Sequence, residues 1–241
     1  MRVDILGIGF DNVTFDEAVD RGFELLCSDF PSYVVTPNSE IVYDSLSNSD
    51  YASILNKAGL VLPDGIGVIY ASRILGRPLK QKVAGIDFAK ALMKRMADSG
   101  KRLYLFGSKP GIAEAAAEKL TAEMPDLIIC GCHDGYFTDD KPIIEDILQS
   151  GADCVFVCLG APKQELWIRD HLHETGAKLM IGLGGSLDGY AGTVKRAPDI
   201  FIKLGLEWFY RLIKEPWRFK RMLRLPKFLW KAVMASFIER K

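Results

Sequence analysis

Two short polar turns carry side chains that could accept a proton or orient a hydroxyl group. Thr36-Pro-Asn-Ser-Glu40 and Pro63-Asp-Gly65 each follow a short apolar run typical of a β-strand. Turns after consecutive strands are expected on the same edge of a sheet, so Asp64 should lie near Thr36 and Asn38. A carboxylate at such an edge can act as a general base toward a hydroxyl group. A plainer interpretation also stays open, since Asn38 could cap a helix and Asp64 could be an ordinary turn residue.

Three glycine-containing turns have the composition of anion-binding sites. Gly107-Ser-Lys-Pro-Gly111 precedes an Ala-rich helical stretch, and the free N–H groups of a helix start attract phosphate. Gly160-Ala-Pro-Lys-Gln-Glu165 places Lys163 and Gln164 at another helix start, where a base and an amide could meet a diphosphate or a uracil edge. Gly182-Leu-Gly-Gly185 is the third. The first is not a Walker A loop and the third is a poor dinucleotide fingerprint, so tight turns without a ligand are an equal alternative.

The cysteines do not form a recognisable metal site. Cys130-Gly-Cys132-His133 matches no standard zinc spacing and has no evident fourth ligand. Cys154 and Cys158 lie in an apolar strand and are expected in the core. The chain also contains no Asp-x-Asp sequence of the kind that holds a metal in many glycosyltransferases. We therefore predict neither a metal nor a cofactor.

The elements that position these turns alternate between continuous apolar strands and helical stretches. The clearest strand-like runs are residues 33–36, 60–62, 102–106, 154–159 and 178–181. This alternation predicts an α/β fold with a Rossmann-like, mostly parallel sheet and helices on both faces. Ligands of such sheets bind at the carboxyl ends of the strands, where the polar turns lie. We assign residues 1–195 to this core.

Residues 196–241 differ in composition and are predicted to form a basic amphipathic helical appendage. From residue 195 onward there are 13 basic and 4 acidic residues, net +9, whereas residues 1–194 hold 18 and 27, net −9. Pro216 and Pro226 divide the segment into about three short helices. In the last helix six apolar residues share a face: Leu229, Trp230, Val233, Met234, Phe237 and Ile238. Such helices favour an anionic membrane surface. Oligomer packing is an alternative, and nucleic acid is the least favoured partner.

Targeting signals and cysteine usage predict the compartment. The sequence shows no signal peptide and no run of 18 apolar residues, so neither export nor a spanning helix is expected. Five cysteines without a CxxC pair fit a reducing environment. Together with the basic appendage, these features predict a cytoplasmic protein bound peripherally to the inner face of the cell membrane.

Five motifs, in order along the chain, resemble those of the WecG/TagA/CpsF glycosyltransferases. They are Thr36-Pro-Asn-Ser-Glu-Ile41, Pro63-Asp-Gly-Ile-Gly67, Val83-Ala-Gly-Ile-Asp87, Gly160-Ala-Pro-Lys-Gln-Glu165 and Gly184-Gly-Ser-Leu-Asp188 with Ala191-Gly192 and Arg196-Ala-Pro198. The resemblance implies an inverting, metal-independent transferase of bacterial cell-surface polymer synthesis. In the TagA branch the donor is UDP-N-acetylmannosamine, the acceptor is undecaprenyl-diphosphate-linked N-acetylglucosamine, and the product starts the wall teichoic acid linkage unit.

The resemblance also implies roles for individual residues. Asp64 would take the proton from the C4 hydroxyl of the acceptor, while Thr36 and Asn38 would position the sugar or the acceptor. The candidate substrate-binding residues in the core are Gly107, Lys163, Gln164, Gly184, Gly185, Asp188 and Arg196. Of these, the turns at Gly107, Lys163-Gln164 and Gly184-Gly185 are the candidates for holding uridine and diphosphate. The appendage arginines that could reach over the site are Arg211, Arg218, Arg221 and Arg224. Lys82 stands where the family usually has arginine, which keeps the charge but loses the bidentate fork.

Other functions stay open at this point. Within the same class, the donor could be UDP-N-acetylmannosaminuronic acid, as in the WecG branch, or another N-acetylhexosamine used for a capsule. A nucleotide-binding oxidoreductase would need a GxGxxG sequence after the first strand, which Leu6-Gly-Ile-Gly-Phe-Asp11 does not supply. A noncatalytic scaffold recruited to a membrane is the third candidate. A homo-oligomer through the core or the appendage is compatible with all of them.

Overall fold

The computed structural model describes residues 1–214, 216 and 219–239, apart from the side chains of Asp199, Lys203, Arg211, Lys220, Arg221 and Glu239. Its strands are β1 (Arg2–Ile5), β2 (Ile8–Asp11), β3 (Ser32–Val35), β4 (Leu60–Val61), β5 (Arg102–Gly107), β6 (Ile128–His133), β7 (Cys154–Cys158) and β8 (Leu179–Gly182). Its helices are α1 (Phe15–Leu26), α2 (Ser39–Ser45), α3 (Ser49–Lys57), α4 (Ile66–Ile74), α5 (Gly85–Asp98), α6 (Ile112–Glu123), α7 (Lys141–Ser150), α8 (Lys163–His171), α9 (Ser186–Tyr190), α10 (Asp199–Lys203), α11 (Glu207–Lys214), α12 (Phe219–Met222) and α13 (Arg224–Glu239).

Within this described part, six strands form a parallel sheet in the order β4-β3-β8-β7-β5-β6. The β1–β2 hairpin is antiparallel and covers the outer edge of β4, where the Asp11 carboxylate accepts a hydrogen bond of 2.9 Å from Val61 N. The connections after β3 and after β5 extend the sheet in opposite directions. In open α/β sheets, ligands bind at the carboxyl ends of strands near such a reversal.

Successive strand residues point alternately into two apolar cores, one on each face of the sheet. In β5, Tyr104 and Phe106 point into the core under α2, α3, α4, α7, α8 and α13. Leu103 and Leu105 point into the opposite core, under α1, α5, α6 and α9. Both faces of a parallel sheet must be covered in this way, because its strands are apolar throughout. The predicted α/β fold with helices on both faces is confirmed.

The appendage contains four described helices, α10 to α13, rather than about three. Pro226 lies in the first turn of α13, where proline is tolerated, so it does not separate two helices. The last helix packs on α2 and α4 through Phe228 and Ala232, which are fully buried in the first core. Division of the chain at residue 195 stays a prediction, but α13 shares its core with the first part.

The outer face of α13 is also apolar. Trp230, Met234, Phe237 and Ile238 are 45–73% exposed, so the apolar face predicted from the sequence is the one left uncovered. Leu229 and Val233 lie half-buried at its margin. No helix among the described residues combines the length and the hydropathy that a membrane span requires.

If α13 belongs to the folded core, Phe228→Ala should lower the free energy of unfolding by about 3–5 kcal/mol, because it empties a buried position. The matched change Phe237→Ala removes a ring that is 63% exposed on the same helix and should cost less than about 0.5 kcal/mol. Urea unfolding followed by circular dichroism measures both. Equally small losses would show that α13 is not part of the cooperative unit.

Candidate active site

The turns after β3 and β4 bring Asp64 and Asn38 together. Leu62 N donates to Val35 O at 2.9 Å, which keeps the two strand ends side by side. A Cβ atom built on Gly65 would lie 3.5 Å from the Cβ of Asn38. Asp64 and Asn38 are both half-buried at this edge. Adjacent parallel strands therefore place the two polar turns in contact, although they are more than 20 residues apart in the sequence.

Asn38 and Thr36 each hold backbone at this edge. Asn38 Oδ1 accepts hydrogen bonds from Glu40 N at 2.9 Å and Ile41 N at 3.1 Å, so it caps α2, the plainer of its two roles. Its amide nitrogen is the end that could bind a sugar hydroxyl. Thr36 is buried, and its Oγ1 donates to Gly182 O at 3.0 Å, which joins the end of β3 to the end of β8.

The start of α5 forms the next wall of the site. Val83 N donates to Pro63 O at 3.0 Å, which sets the α5 N-terminus beside the Asp64 turn. This N-terminus has no side-chain cap, and helix starts of this kind attract anions through their backbone N–H groups. Arg196 donates from both Nη atoms to both carboxylate oxygens of Asp87 at 2.6 and 2.5 Å. That ion pair fixes the segment after α9 against the first turn of α5.

The turn after β5 contacts the turn after β8. Gly107 has φ +125° and Ser108 has φ +61°, conformations that non-glycine residues rarely adopt. Ser108 Oγ donates to Asp188 Oδ2 at 2.8 Å, so Asp188 lies beside the Gly107 turn. Gly111, with φ +82°, directly precedes α6, whose start again has no side-chain cap. The Gly107 turn thus contacts α9, the helix after β8, and leads into an uncapped helix start.

Lys163 and Gln164 are adjacent in sequence but point to different places. Lys163 is exposed, with its Nζ 4.1 Å from the centre of the Phe137 ring and 3.3 Å from Gly135 O. Gln164 is only 2% exposed and lies behind the Gly184 turn, where its Oε1 accepts from Gly184 N at 2.9 Å. Direct contact of Gln164 with a substrate stays a prediction, whereas its contact with the turn is observed.

Glu165 was not singled out from the sequence, yet it is a buried ionisable group next to the candidate donor turns. It is 1% exposed, accepts from Gln164 Nε2 at 2.7 Å and from the Tyr51 hydroxyl at 3.1 Å. Burial raises the pKa of its carboxyl, while the hydrogen bonds from Gln164 and Tyr51 act in the opposite direction. An acidic residue in the first turn of a helix normally interacts with the helix dipole, so its burial could not be predicted from the sequence pattern.

The appendage lies against the Asp64 side of the site. Arg224 Nη1 donates to Glu40 Oε1 at 2.6 Å and to Asp44 Oδ2 at 2.8 Å, both on α2. Lys82 Nζ lies 3.9 Å from Glu207 Oε2 on α11. Of the other appendage arginines considered above, Arg218 lies outside the described residues, as do the side chains of Arg211 and Arg221.

Tyr136 is a second residue that the sequence reasoning did not single out. It is 67% exposed in the turn after β6, and the neighbouring Gly135 N donates to Ser108 O at 2.8 Å. An aromatic side chain just after a strand could have indicated a ligand-binding residue. Strand β6, however, was not among the strands predicted from the sequence. The turn after β6 thus contacts the turn that carries Ser108, which in turn contacts Asp188 on α9.

The described residues contain no group of three or more His, Cys, Asp or Glu side chains arranged to hold a metal ion. A bulge between β5 and β6 sends Cys130 toward one core and Cys132 toward the other, so the two thiols do not converge. Cys154 and Cys158 are buried as predicted, and burial raises the pKa of the Cys158 thiol to about 12. Metal independence itself stays a prediction.

Comparison with known proteins gives consistent matches. A family model described as glycosyl transferase WecG/TagA/CpsF family matches residues 3–241. A Bacillus subtilis (strain 168) protein named N-acetylglucosaminyldiphosphoundecaprenol N-acetyl-beta-D-mannosaminyltransferase is 41% identical over 195 residues, 81% of this chain and 76% of that protein. A Staphylococcus aureus (strain MRSA252) protein of the same name is 34% identical over 237 residues, 98% of this chain and 93% of that protein. The resemblance drawn from the five motifs is confirmed.

The close approach of the β5 and β7 turns predicts a sharp difference between two glycines. A Cβ at Gly107 would overlap the Cys158 carbonyl, so Gly107→Ala should cost more than about 3 kcal/mol of stability or prevent folding. Gly111→Ala meets no atom within 4 Å and should cost only about 1–2 kcal/mol for its left-handed backbone. Thermal unfolding of both variants tests this, and similar losses would contradict the close approach.

Proposed function

Because the chain belongs to the WecG/TagA/CpsF family of glycosyl transferases, we propose that it moves N-acetylmannosamine from UDP-N-acetylmannosamine to the C4 hydroxyl of N-acetylglucosamine carried on undecaprenyl diphosphate. The observation that carries the proposal is that the Bacillus and Staphylococcus relatives, at 34–41% identity, bear one name that specifies this acceptor and this sugar. The product would be the disaccharide lipid that starts the wall teichoic acid linkage unit.

Asp64 is the proposed general base. Asp64 follows β4, at the edge where parallel sheets bind ligands, and its neighbour Gly65 packs against Asn38. In a single displacement, the acceptor O4 attacks the anomeric carbon while its proton passes to Asp64. The bond between the anomeric carbon and the phosphate oxygen breaks, its electron pair leaves with UDP, and the anomeric configuration inverts. Asn38 and Thr36 would orient the two sugars for this attack.

The negative charge that develops on UDP needs fixed positive partners. We propose that the uncapped N-termini of α5 and α6 supply N–H donors and that Lys163 and the appendage arginines supply charge. The uridine would contact the Gly107 turn and Asp188, which lie side by side, with the exposed Tyr136 in the neighbouring turn. In this arrangement the protein meets the charge of the leaving group without a metal ion.

The acceptor's polyprenyl chain stays in a bilayer, so the site must approach the headgroup plane. Each described appendage helix and its flanks expose apolar side chains four residues apart: Ile200 and Leu204, Phe209 and Ile213, Phe219 and Leu223, Trp230 and Met234. This surface and the net charge of +9 from residue 195 onward suit an anionic membrane. We propose peripheral attachment to the cytoplasmic face of the cell membrane.

The reaction is tested by measuring UDP release from UDP-N-acetylmannosamine with a lipid-diphosphate N-acetylglucosamine acceptor. Turnover should require the acceptor and should fall about 10²–10⁴-fold in Asp64→Asn, which removes the base without changing side-chain size. The control Asp126→Asn removes an exposed carboxylate just before β6, at the amino end of that strand, and should retain full turnover.

Two results would overturn this assignment. Turnover with UDP-N-acetylmannosaminuronic acid alone would assign the protein to the other branch of the family. Absence of turnover with either donor would favour a noncatalytic role.

Membrane attachment is tested by co-sedimentation with phosphatidylglycerol vesicles. The double variant Trp230→Ser/Phe237→Ser should weaken binding more than about tenfold, because each ring loses roughly 1.5–3 kcal/mol of burial in the bilayer. Phe30→Ser is the control, since Phe30 is 80% exposed just before β3, at the amino end of the sheet. Unchanged binding of the double variant would show that this face does not contact the membrane.

A further inference from the structure

We infer that Tyr51, Glu165 and Gln164 form a buried hydrogen-bond relay that positions the Gly184 turn for the nucleotide donor, with Glu165 as a positioning residue. The inference rests on the proposed function and on the role that the family resemblance implies for the Gly184 turn, contact with the UDP part of the donor. It adds to that function a group of residues that lie behind the site and do not touch the reacting atoms.

The relay connects three elements through contacts of ordinary hydrogen-bond length. The Tyr51 hydroxyl on α3 donates to Glu165 Oε2 at 3.1 Å, and Gln164 Nε2 donates to Glu165 Oε1 at 2.7 Å. Gly184 N, just after β8, donates to Gln164 Oε1 at 2.9 Å. The three side chains are 4%, 1% and 2% exposed, so water does not compete for these bonds.

Glu165 decides which way the Gln164 amide faces. The oxygen and nitrogen ends of an amide have nearly the same shape, but only the oxygen can accept the N–H of Gly184. Glu165 Oε1 accepts from Gln164 Nε2, so the nitrogen end of the amide faces Glu165 and Oε1 is left facing Gly184. The Tyr51 hydroxyl holds the second carboxylate oxygen and thereby fixes the plane of the acceptor.

The same relay also supports the end of β8 at Gly182. A Cβ atom on Gly182 would lie 3.0 Å from Gln164 Nε2, so the amide packs directly behind this residue. In front, Gly182 O accepts from Thr36 Oγ1 at 3.0 Å. The relay therefore backs both the Gly184 turn and the strand end that holds Thr36.

If packing were the only role of this side chain, a buried carboxylate would be less favourable than an apolar residue. Burial disfavours its charge, and its helix neighbours Trp167 and Ile168 are buried apolar residues. Even buried ion pairs can often be replaced by apolar residues of similar volume without loss of stability. A requirement to orient the amide explains why the acid is placed here.

The test uses full-length protein and a matched pair of tyrosine variants. Tyr51→Phe removes the hydroxyl bonded to Glu165, whereas Tyr104→Phe removes a buried hydroxyl bonded to Asp146 on α7, outside the relay. Two quantities are measured in each variant: the hydrogen-exchange rate of the Gly184 amide by NMR, and the Kd for UDP by calorimetry. The first readout does not depend on UDP.

We expect Tyr51→Phe to speed Gly184 exchange and raise the Kd for UDP by about threefold to tenfold, the effect of one lost hydrogen bond. Glu165→Leu should have a larger effect, and Glu165→Gln, which keeps an oxygen for Gln164 Nε2, should stay within about twofold of the wild type. Tyr104→Phe should leave both quantities unchanged. Should Glu165→Leu fail to fold, the tyrosine pair decides alone.

Unchanged Gly184 exchange in Tyr51→Phe, or equal effects of the two tyrosine variants, would overturn the relay. Faster exchange with an unchanged Kd, in protein that binds UDP, would overturn its role in donor binding. Failure of the wild type to bind UDP would instead overturn the proposed donor and, with it, the donor role of the relay. Gly184 exchange would still decide whether the relay positions the turn.

Discussion

The uniform direction of the six described sheet strands is the constraint on which the rest of this structure depends. Parallel strands end on one edge, and the following helices start there, so polar turns and helix N-termini converge while both faces stay apolar. Asp64, Gly107 and Gly184 come from distant parts of the chain and lie along the same edge of the sheet only for this reason. The site is therefore a property of the sheet edge rather than of any single segment.

Within that edge, the turns are fixed to one another by hydrogen bonds between a side chain and a neighbouring turn. Thr36 contacts Gly182, Gln164 contacts Gly184 and Ser108 contacts Asp188. Each of these bonds joins segments at the carboxyl ends of two different strands, so each fixes their position relative to one another. A site held in this way is arranged before substrate arrives, which is what stabilisation of a charged leaving group by fixed donors requires.

The appendage joins this edge to the exposed apolar surface. One face of α13 buries Phe228 and Ala232 in the core, and the opposite face exposes Trp230 and Phe237. Its first residue, Arg224, binds two carboxylates of α2, the helix that Asn38 caps. The surface proposed to contact lipid is thus rigidly connected to the residues proposed to bind the sugars. At this contact, a basic residue of the positively charged appendage pairs with two acidic residues of the negatively charged core.

The sequence by itself determined the α/β class, the two polar turns, the glycine turns and the apolar, basic character of the appendage. These features depend on local pattern: apolar runs form strands, and polar residues interrupt them at turns. Only the tertiary structure decided that β6 is an edge strand, that Glu165 is buried and that Phe228 rather than Trp230 faces the core. When a helix is apolar on most sides, its sequence does not show which side packs against the core. In the same way, the sequence does not identify the hydrogen-bond partner of a carboxylate. Burial depends on elements far apart in the sequence, and the chain brings those elements together only when it folds.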